Sequence, residues 1–285
     1  MEHPPKVFVI ILNWNGQDCL ASCLRSVFAL DYRNTEIVIV DNASRDGSLE
    51  EAKKSFSRAH FILNTENLGF AAGMNVGIRF ALSKGADYVW ILNNDVECKK
   101  NSLSALVSAA IAHEKPAFFS PHILTPKGIS WFSGGKIDYF RMRAEHTLDV
   151  DTFSLEAPYP TGYLSGCALF FPRKAIEAVG LFDEGYFLYY EDTDLSVRAE
   201  KKGLELLVVP KSVVLHSEKS EENPEKIYWL VRSGLRFFRA HTPILVRPWM
   251  WIYISMRRIK NGIDKLQGKK GALPVSAAYA DSWKA

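Results

Sequence analysis

The chain has 285 residues, roughly twice the ~150 of a one-domain prior, so one large or two small domains are expected. Apolar residues make up 47% and charged residues 24%, which excludes a disordered chain and a disulfide-stapled mini-protein. Net charge is only +3, but it is unevenly spread: residues 226–285 hold twelve Lys and Arg against two acids, while the first 225 carry −7.

That asymmetry marks the C-terminal segment as a region facing something anionic. Cys19, Cys23, Cys98 and Cys167 form no CxxC pair and are expected as reduced thiols of a cytosolic chain. Residues Met1 to Pro5 lack the basic and apolar parts of a signal peptide. No apolar run reaches the ~18 residues of a spanning helix. The longest aromatic stretch, Pro248 to Met256, is bounded by Arg247 and by Arg257-Arg258.

Val7 to Leu12 is a continuous apolar run, suited to a strand buried on both faces. Past Asn13-Trp14-Asn15-Gly16, a helical stripe carries Leu20, Cys23, Leu24, Val27 and Phe28. Glu36 to Val40 predicts a second strand ending at Asp41; Ser44, Asp46 and Gly47 then start a helix with Leu49, Ala52 and Phe56. A third strand, Phe61 to Leu63, precedes a helix over Phe70 to Leu82. Tyr88 to Leu92 is the fourth strand, followed by a helix with Leu103, Leu106, Val107, Ala110 and Ile111. Four strand–helix units in series predict a mostly parallel, Rossmann-like α/β sheet. From Lys115 to Pro160 the pattern is irregular. It resumes with a strand at Ala168 to Phe171, a helix near Lys174 to Val179, a helix opening at Glu191-Asp192 and a strand over Leu204 to Val209. Lys269 to Ala285 reads as a frayed tail. The expected divisions are 1–115, 116–223 and 224–285.

Polar residues recur at the carboxyl ends of the predicted strands: Asn13, Asp41, Asn64 and Asn93-Asn94-Asp95. Open α/β sheets bind ligands at that edge, although Asn and Asp also simply end strands and cap helices. Neither GxGxxG nor a Walker loop is present. The nearest element is Asn67 to Asn75, whose small residues would let backbone approach a ligand and whose helix start could face an anion; tight packing explains such a start equally well.

The strings Val9 to Gly16, Val40 to Ser48, Asn67 to Asn75 and Leu92 to Asp95 resemble inverting family 2 glycosyltransferases. Ser165 to Ala168, Gly180 to Glu184 and Glu191 to Leu195 resemble the acceptor half of that family. The resemblance runs from about Lys6 to His216, in the family's order, and is closest to its rhamnosyltransferase-like branch. It implies the GT-A fold, a nucleotide-sugar-binding half fused to an acceptor-binding half. Asn13, Asp41, Gly69, Asn75, Asn93 and Asn94 then fall in the nucleotide-sugar pocket. Asn93-Asn94-Asp95 takes the place of the DxD motif, with an amide for the first carboxylate. A divalent cation, Mg²⁺ or Mn²⁺, wants hard oxygen ligands, so Asp95, Glu97 and His216 are the metal candidates. Asp192 matches the general base that inversion requires, and Glu191 orients it or binds acceptor. Tyr186, Phe187, Tyr189 and Tyr190 are expected as an aromatic wall for sugar rings, and Asp194 as a local cap or pair.

In the basic segment, cations from Arg232 to Lys260 alternate with Trp229, Phe237, Phe238, Trp249, Trp251 and Tyr253. Such a mix suits an interfacial helix on anionic lipid, or a helix packed on the catalytic region with solvated charges. Nucleic acid, which also calls for cations and aromatics, is not an expected partner. The expected function is transfer of a sugar from a nucleotide-diphosphate donor (dTDP- or UDP-sugar) to a glycan or lipid-linked acceptor in surface polysaccharide synthesis. The expected location is cytoplasmic, peripheral at the inner face of the cell membrane. The alternatives are an inactive nucleotide-sugar or glycan-binding subunit and a nucleotidyltransferase.

Overall fold

A computed structural model describes residues 4–148, 155–217 and 223–282. The chain opens with β1 (Val7–Asn13), α1 (Leu20–Phe28), β2 (Thr35–Asp41), α2 (Ser48–Ser55), β3 (His60–Leu63), α3 (Gly69–Ser83), β4 (Tyr88–Asn93), β5 (Val96–Cys98) and α4 (Ser102–Ala112). β1, β2 and β4 are apolar on both faces and buried almost throughout, so they sit mid-sheet. The strand order β3-β2-β1-β4 is parallel, as predicted.

The irregular middle holds β6 (Ala117–Leu124), β7 (Ser130–Phe132), β8 (Gly135–Asp138), β9 (Arg143–His146) and β10 (Tyr159–Pro160). β6 is wholly buried, but Ser120, Pro121 and His122 interrupt its apolar run and hide it from a pattern reading. After it come β11 (Ala168–Pro172), α5 (Arg173–Val179), α6 (Glu191–Lys201) and β12 (Glu205–His216). β11 lies antiparallel to β4, and β6 follows it, so one mixed sheet runs β10-β12-β6-β11-β4-β1-β2-β3. β12 outlasts its predicted end at Val209 because a register irregularity between Val209 and Val213 absorbs Pro210, which has no N–H for the ladder.

The chain closes with α7 (Pro224–His241), α8 (Arg247–Leu266) and α9 (Ala272–Asp281). The tail is therefore not frayed over 272–281. Ala272 and Ala278 are buried, Asn261 Nδ2 lies 2.8 Å from Ser276 Oγ, and Tyr228 donates to Asp281 at 3.1 Å. A ten-residue helix is marginal alone and forms here through tertiary contacts. The end of the predicted tail, residues 283–285, lies outside the described residues. Trp90, Phe8, Phe118 and Phe170 belong to the main core; a second one joins Tyr186 and Val197 to Phe237, Phe238, Met250 and Ile254. Among the described residues, no helix is long and apolar enough to cross a membrane.

Candidate active site

Parallel register sets the polar edge. Asn13 stands opposite Asp41, and Leu12 opposite Asn93, so three strand ends finish level. Asn13 is fully buried, and its Nδ2 lies 2.8 Å from Asp41 Oδ1 and 2.9 Å from Ser48 Oγ. Asn94 Nδ2 donates to Asn13 Oδ1 at 2.9 Å. Gly16 passes so close to this pair that a Cβ there would collide with both amides. Asp41 accepts from Ser44 N at 2.9 Å and Ser44 Oγ at 2.7 Å. Its carboxylate is thus held inside the chain and braces Asn13.

Beside this edge lies a cavity of about 290 Å³, lined by Trp14, Asn42, Asn67, Asn93, Asn94 and Phe187, with Asn223 and Lys226 from the start of α7. Asn223 caps α7 by accepting from Lys226 N at 2.7 Å. Of the predicted pocket residues, Gly69, Asn93 and Asn94 border this cavity, while Asn13, Asp41 and Asn75 do not. Asn75 is fully buried, does not line the cavity, and binds Phe182 O and Glu184 Oε1 at 2.9 Å each, clamping α3 to the loop before α6. Gly69 does border the cavity, but its φ of +79° and the carbonyl of Phe187 close to its Cα account for the glycine. Phe70 N donates to that carbonyl at 2.7 Å. Gly73 and Gly77 likewise let α3 settle on β1 and β2, so the small-residue run is helix–sheet packing.

Asp95 follows directly. Its Oδ1 lies 3.2 Å from His216 Nε2, yet that buried oxygen has no hydrogen-bond partner among the described residues, and neither has His216 Nδ1. β5 pairs with β12, placing Val96 opposite His216, which brings the two groups together. An orphaned carboxylate oxygen beside an imidazole fits a divalent cation, with diphosphate oxygens completing the shell. Glu97 lines one cavity together with Asp95. It points toward α1 and accepts from Ser22 Oγ at 2.6 Å, and no trio of His, Cys, Asp or Glu able to hold a metal converges among the described residues.

The carboxylate pair arrives from the other side. Tyr189 and Tyr190 both take positive φ, 68° and 65°, an unfavourable turn for non-glycine residues that α6 and α7 hold in place. α6 then starts with Glu191, Asp192 and Asp194 in its first turn, where the helix dipole favours acids. Asp192 accepts from Gly166 N at 2.8 Å, Thr193 N at 2.6 Å and Thr193 Oγ1 at 3.1 Å. Burial raises its pKa; those hydrogen bonds and His146 oppose the rise. Glu191 is 5% exposed, its Oε2 has no partner among the described residues, and burial, then the Asp192 charge, pushes its pKa well up. Asp194 pairs with Arg198 Nε and His241 Nε2, both at 2.7 Å, the local role expected.

One strip joins the two sides. Gly166 holds Asp192 and lies against Phe70, which lines the cavity, while Cys167 O accepts from Asn93 N at 3.0 Å. The aromatic wall is only partly available. Tyr186 is buried in the second core under Arg236, and Tyr190 stacks on Phe237 at 5.3 Å; Phe187 alone of the four reaches the cavity, backed by Trp229 at 4.4 Å. Trp14, Asn42 and Lys226 line the cavity without having been singled out. The first two lie inside the matching strings, but Lys226 lies beyond the last of those strings and leaves no local signal.

A mixed sheet with a polar strand edge, facing a carboxylate pair delivered from beyond it, defines the GT-A class of glycosyltransferase. Two solved structures share the fold. One is mannosyltransferase PcManGT from Pyrobaculum calidifontis in complex with GDP-Man and Mn²⁺, with a TM-score of 0.60 at 17% identity, covering 98% of this chain and 80% of that one. The other is GalNAc-T7 with UDP, GalNAc and Mn²⁺, with a TM-score of 0.67 at 20% identity, covering 83% of this chain and 48% of that one. The sequence model described as Glycosyl transferase family 2 matches residues 8–180, and the chain belongs to that family. It is similar to N-acetylglucosaminyl-diphospho-decaprenol L-rhamnosyltransferase of Mycobacterium tuberculosis, 28% identical over 230 residues, 73% of this chain and 75% of the relative. It is also similar to dTDP-rhamnosyl transferase RfbF of Shigella flexneri, 22% identical over 253 residues, 84% and 82% of the two chains. The chain is a glycosyltransferase.

Proposed function

We propose that this glycosyltransferase inverts the anomeric centre, moving a sugar from a nucleotide-diphosphate donor (a dTDP- or UDP-sugar) to a glycan or lipid-linked acceptor in surface polysaccharide synthesis. The observation that carries the reading is the Ser165–Cys167 strip. It holds the Asp192 carboxylate through Gly166 N–H and the end of β4 through Cys167 O. A base and a donor edge on one rigid strip meet the need of in-line displacement, where acceptor and leaving group stand on opposite sides of one carbon.

In this reading the nucleotide lies along Asn42, Asn93 and Asn94, with Asp41 and Asn13 acting through the hydrogen bond that Asn94 gives Asn13. Asp192 takes the proton of the acceptor hydroxyl, and that oxygen attacks the anomeric carbon as the diphosphate leaves. Burial pushes the Glu191 carboxyl well up and so disfavours a second charge beside Asp192. Lys226 borders the cavity, and its ammonium offsets charge on the departing diphosphate. Asp95 and His216 would hold a divalent ion, Mg²⁺ or Mn²⁺, which supplies Lewis-acid charge to the same oxygens. The relatives' names support a deoxyhexose donor and a diphospholipid acceptor. Such an acceptor fits an enzyme working at the cytoplasmic face of a membrane.

The test is a nucleotide-sugar panel read by melting temperature and by nucleotide release. One donor should raise the midpoint by mass action, and release should accelerate when an acceptor is added. A panel in which no donor shifts the midpoint or is consumed would refute the proposal.

A further inference from the structure

The β8–β9 hairpin leans over α7, α8 and α9 and encloses a second cavity, of about 350 Å³. Three arginines border it: Arg141 and Arg143 from the hairpin and Arg257 from α8. Between them the lining is apolar, with Leu230, Leu235, Phe238 and Ile254. The arginines are poorly neutralised. The Arg141 guanidinium comes no nearer than 3.9 Å to the Asp138 carboxylate, and neither Arg143 nor Arg257 forms an ion pair with a carboxylate among the described residues. Arg257 instead bonds the Tyr279 side chain. Guanidinium groups present planar forks that match phosphate oxygens two at a time, and several around one space repel each other until an anion joins them. An apolar floor beneath them calls for a ligand with a hydrocarbon part.

The cavity is coupled to the carboxylate pair at two points. Tyr190, whose ring lines it, immediately precedes Glu191-Asp192, and its hydroxyl bonds the backbone of Ala144. β9 runs from Arg143 at the cavity to His146, whose charge acts on Asp192. Three residues of extended strand span roughly 10 Å.

We infer that this cavity holds the diphosphate and the first isoprenoid units of a lipid-linked acceptor whose terminal sugar reaches Asp192. The inference rests on the proposal that Asp192 is the base, and it assigns the acceptor's chemical class: a diphosphate ester of a hydrocarbon chain. Leu230 is half exposed and provides the exit for the rest of the chain.

The experiment titrates the intact protein, without donor, with farnesyl diphosphate, inorganic pyrophosphate or farnesol, read by calorimetry. Farnesyl diphosphate should bind at least tenfold more tightly than either fragment. The double variant Arg143→Ala/Arg257→Ala should weaken it at least tenfold, with melting midpoint and donor binding unchanged. Leu230→Ser should weaken farnesyl diphosphate but leave pyrophosphate alone. Pyrophosphate binding as tightly as farnesyl diphosphate would reduce the cavity to a free-phosphate site and overturn the inference; so would unaltered binding in the double arginine variant. Loss of this result with donor turnover intact sinks only the acceptor assignment. Absence of donor turnover with the lipid result intact sinks the underlying reading instead.

Discussion

Asp192→Asn keeps the side chain's shape while removing its ability to accept a proton. Transfer should fall roughly 10²–10⁴-fold with donor affinity retained. The substitution is not structurally silent. The carboxylate takes Gly166 N on Oδ2 and the two Thr193 donors on Oδ1. An amide has one acceptor oxygen, so whichever way it turns, its NH₂ faces an N–H donor. Leaving one such donor unsatisfied costs about 1–3 kcal/mol. Burial works the other way, because it disfavours the charge being removed. Against ~2–4 °C per kcal/mol for a chain of this size, the midpoint should drop by only a few degrees. The assay pairs acceptor-dependent nucleotide release with a melting curve and a donor titration. Thr193→Val, which loses only the 3.1 Å hydroxyl contact, is the control and should retain most activity. Since burial raises the Asp192 pKa, kcat/KM should climb with pH through that raised value. Near-native transfer by folded Asp192→Asn would refute the assignment and make Glu191 the candidate.

Asp95→Ala should weaken donor binding and turnover, and His216→Ala should do so less; activity in excess chelator equal to that in Mg²⁺ would defeat the metal assignment. Because the Glu191 carboxyl is raised by folding, its contribution to stability is fully present below the unfolded value of about 4.3 and lost as pH rises through the folded one. Glu191→Gln should flatten the fall of stability across that window, measured by urea midpoints; an unchanged pH profile would show that the group ionises freely. Gly69→Ala should cost about 2–4 kcal/mol in denaturant midpoint, through its positive φ and the Phe187 carbonyl its methyl would displace, and a midpoint within about 0.5 kcal/mol, the scatter of neutral substitutions, would remove that explanation. Ile252→Glu/Ile259→Glu should abolish co-sedimentation with anionic vesicles while leaving the melting midpoint in place, whereas equal pelleting of variant and parent would dismiss a lipid-facing role for α8.

Much of the sheet was legible because its central strands are buried on both faces. Val7 to Leu12 and Tyr88 to Leu92 have no polar residue to blur the period, and register alone then levels Asn13, Asp41 and Asn93. β6 was illegible for the converse reason: Ser120, Pro121 and His122 are buried in it without any sequence mark of burial. α9 was missed because an alanine-rich decamer owes its helix to partners distant in sequence. In the site, residue type could not distinguish an amide that faces a ligand from one that braces two elements. Asn93 borders the cavity while Asn75, equally conspicuous in its glycine-rich string, is spent on Phe182 and Glu184. Glu97, two residues from Asp95, lines a cavity with it but stands across from Leu215 rather than His216 and accepts from Ser22, a partner that spacing alone does not reveal.

Of the two readings of the basic aromatic segment, packing on the catalytic region is seen in α7, and lipid contact is our proposal for the outer side of α8. α7 is a buttress: Phe237 and Phe238 are buried, Ser233 bonds Leu188 O at 2.7 Å, and Arg236 bonds Asp183 at 2.9 Å. Removing everything after Asn223 would strip the support from Tyr186 and Tyr190 and disturb the start of α6, so truncation cannot report on lipid contact alone. α8 is divided. Met250 and Ile254 are buried, while Ile252, Ile259, Ile263 and Leu266 recur at helical spacing on its exposed side, among Arg258, Lys260 and Lys265. Such a stripe suits the headgroup region of an anionic bilayer. Tyr253, Ile254 and Arg257 of this same helix line the three-arginine cavity. An α8 lying on a bilayer by its outer stripe would hold that cavity next to the plane that carries diphospholipids. Surface attachment and acceptor capture would then be two faces of one helix, which is why charges on the outer stripe and alanines at the arginines must be tested separately.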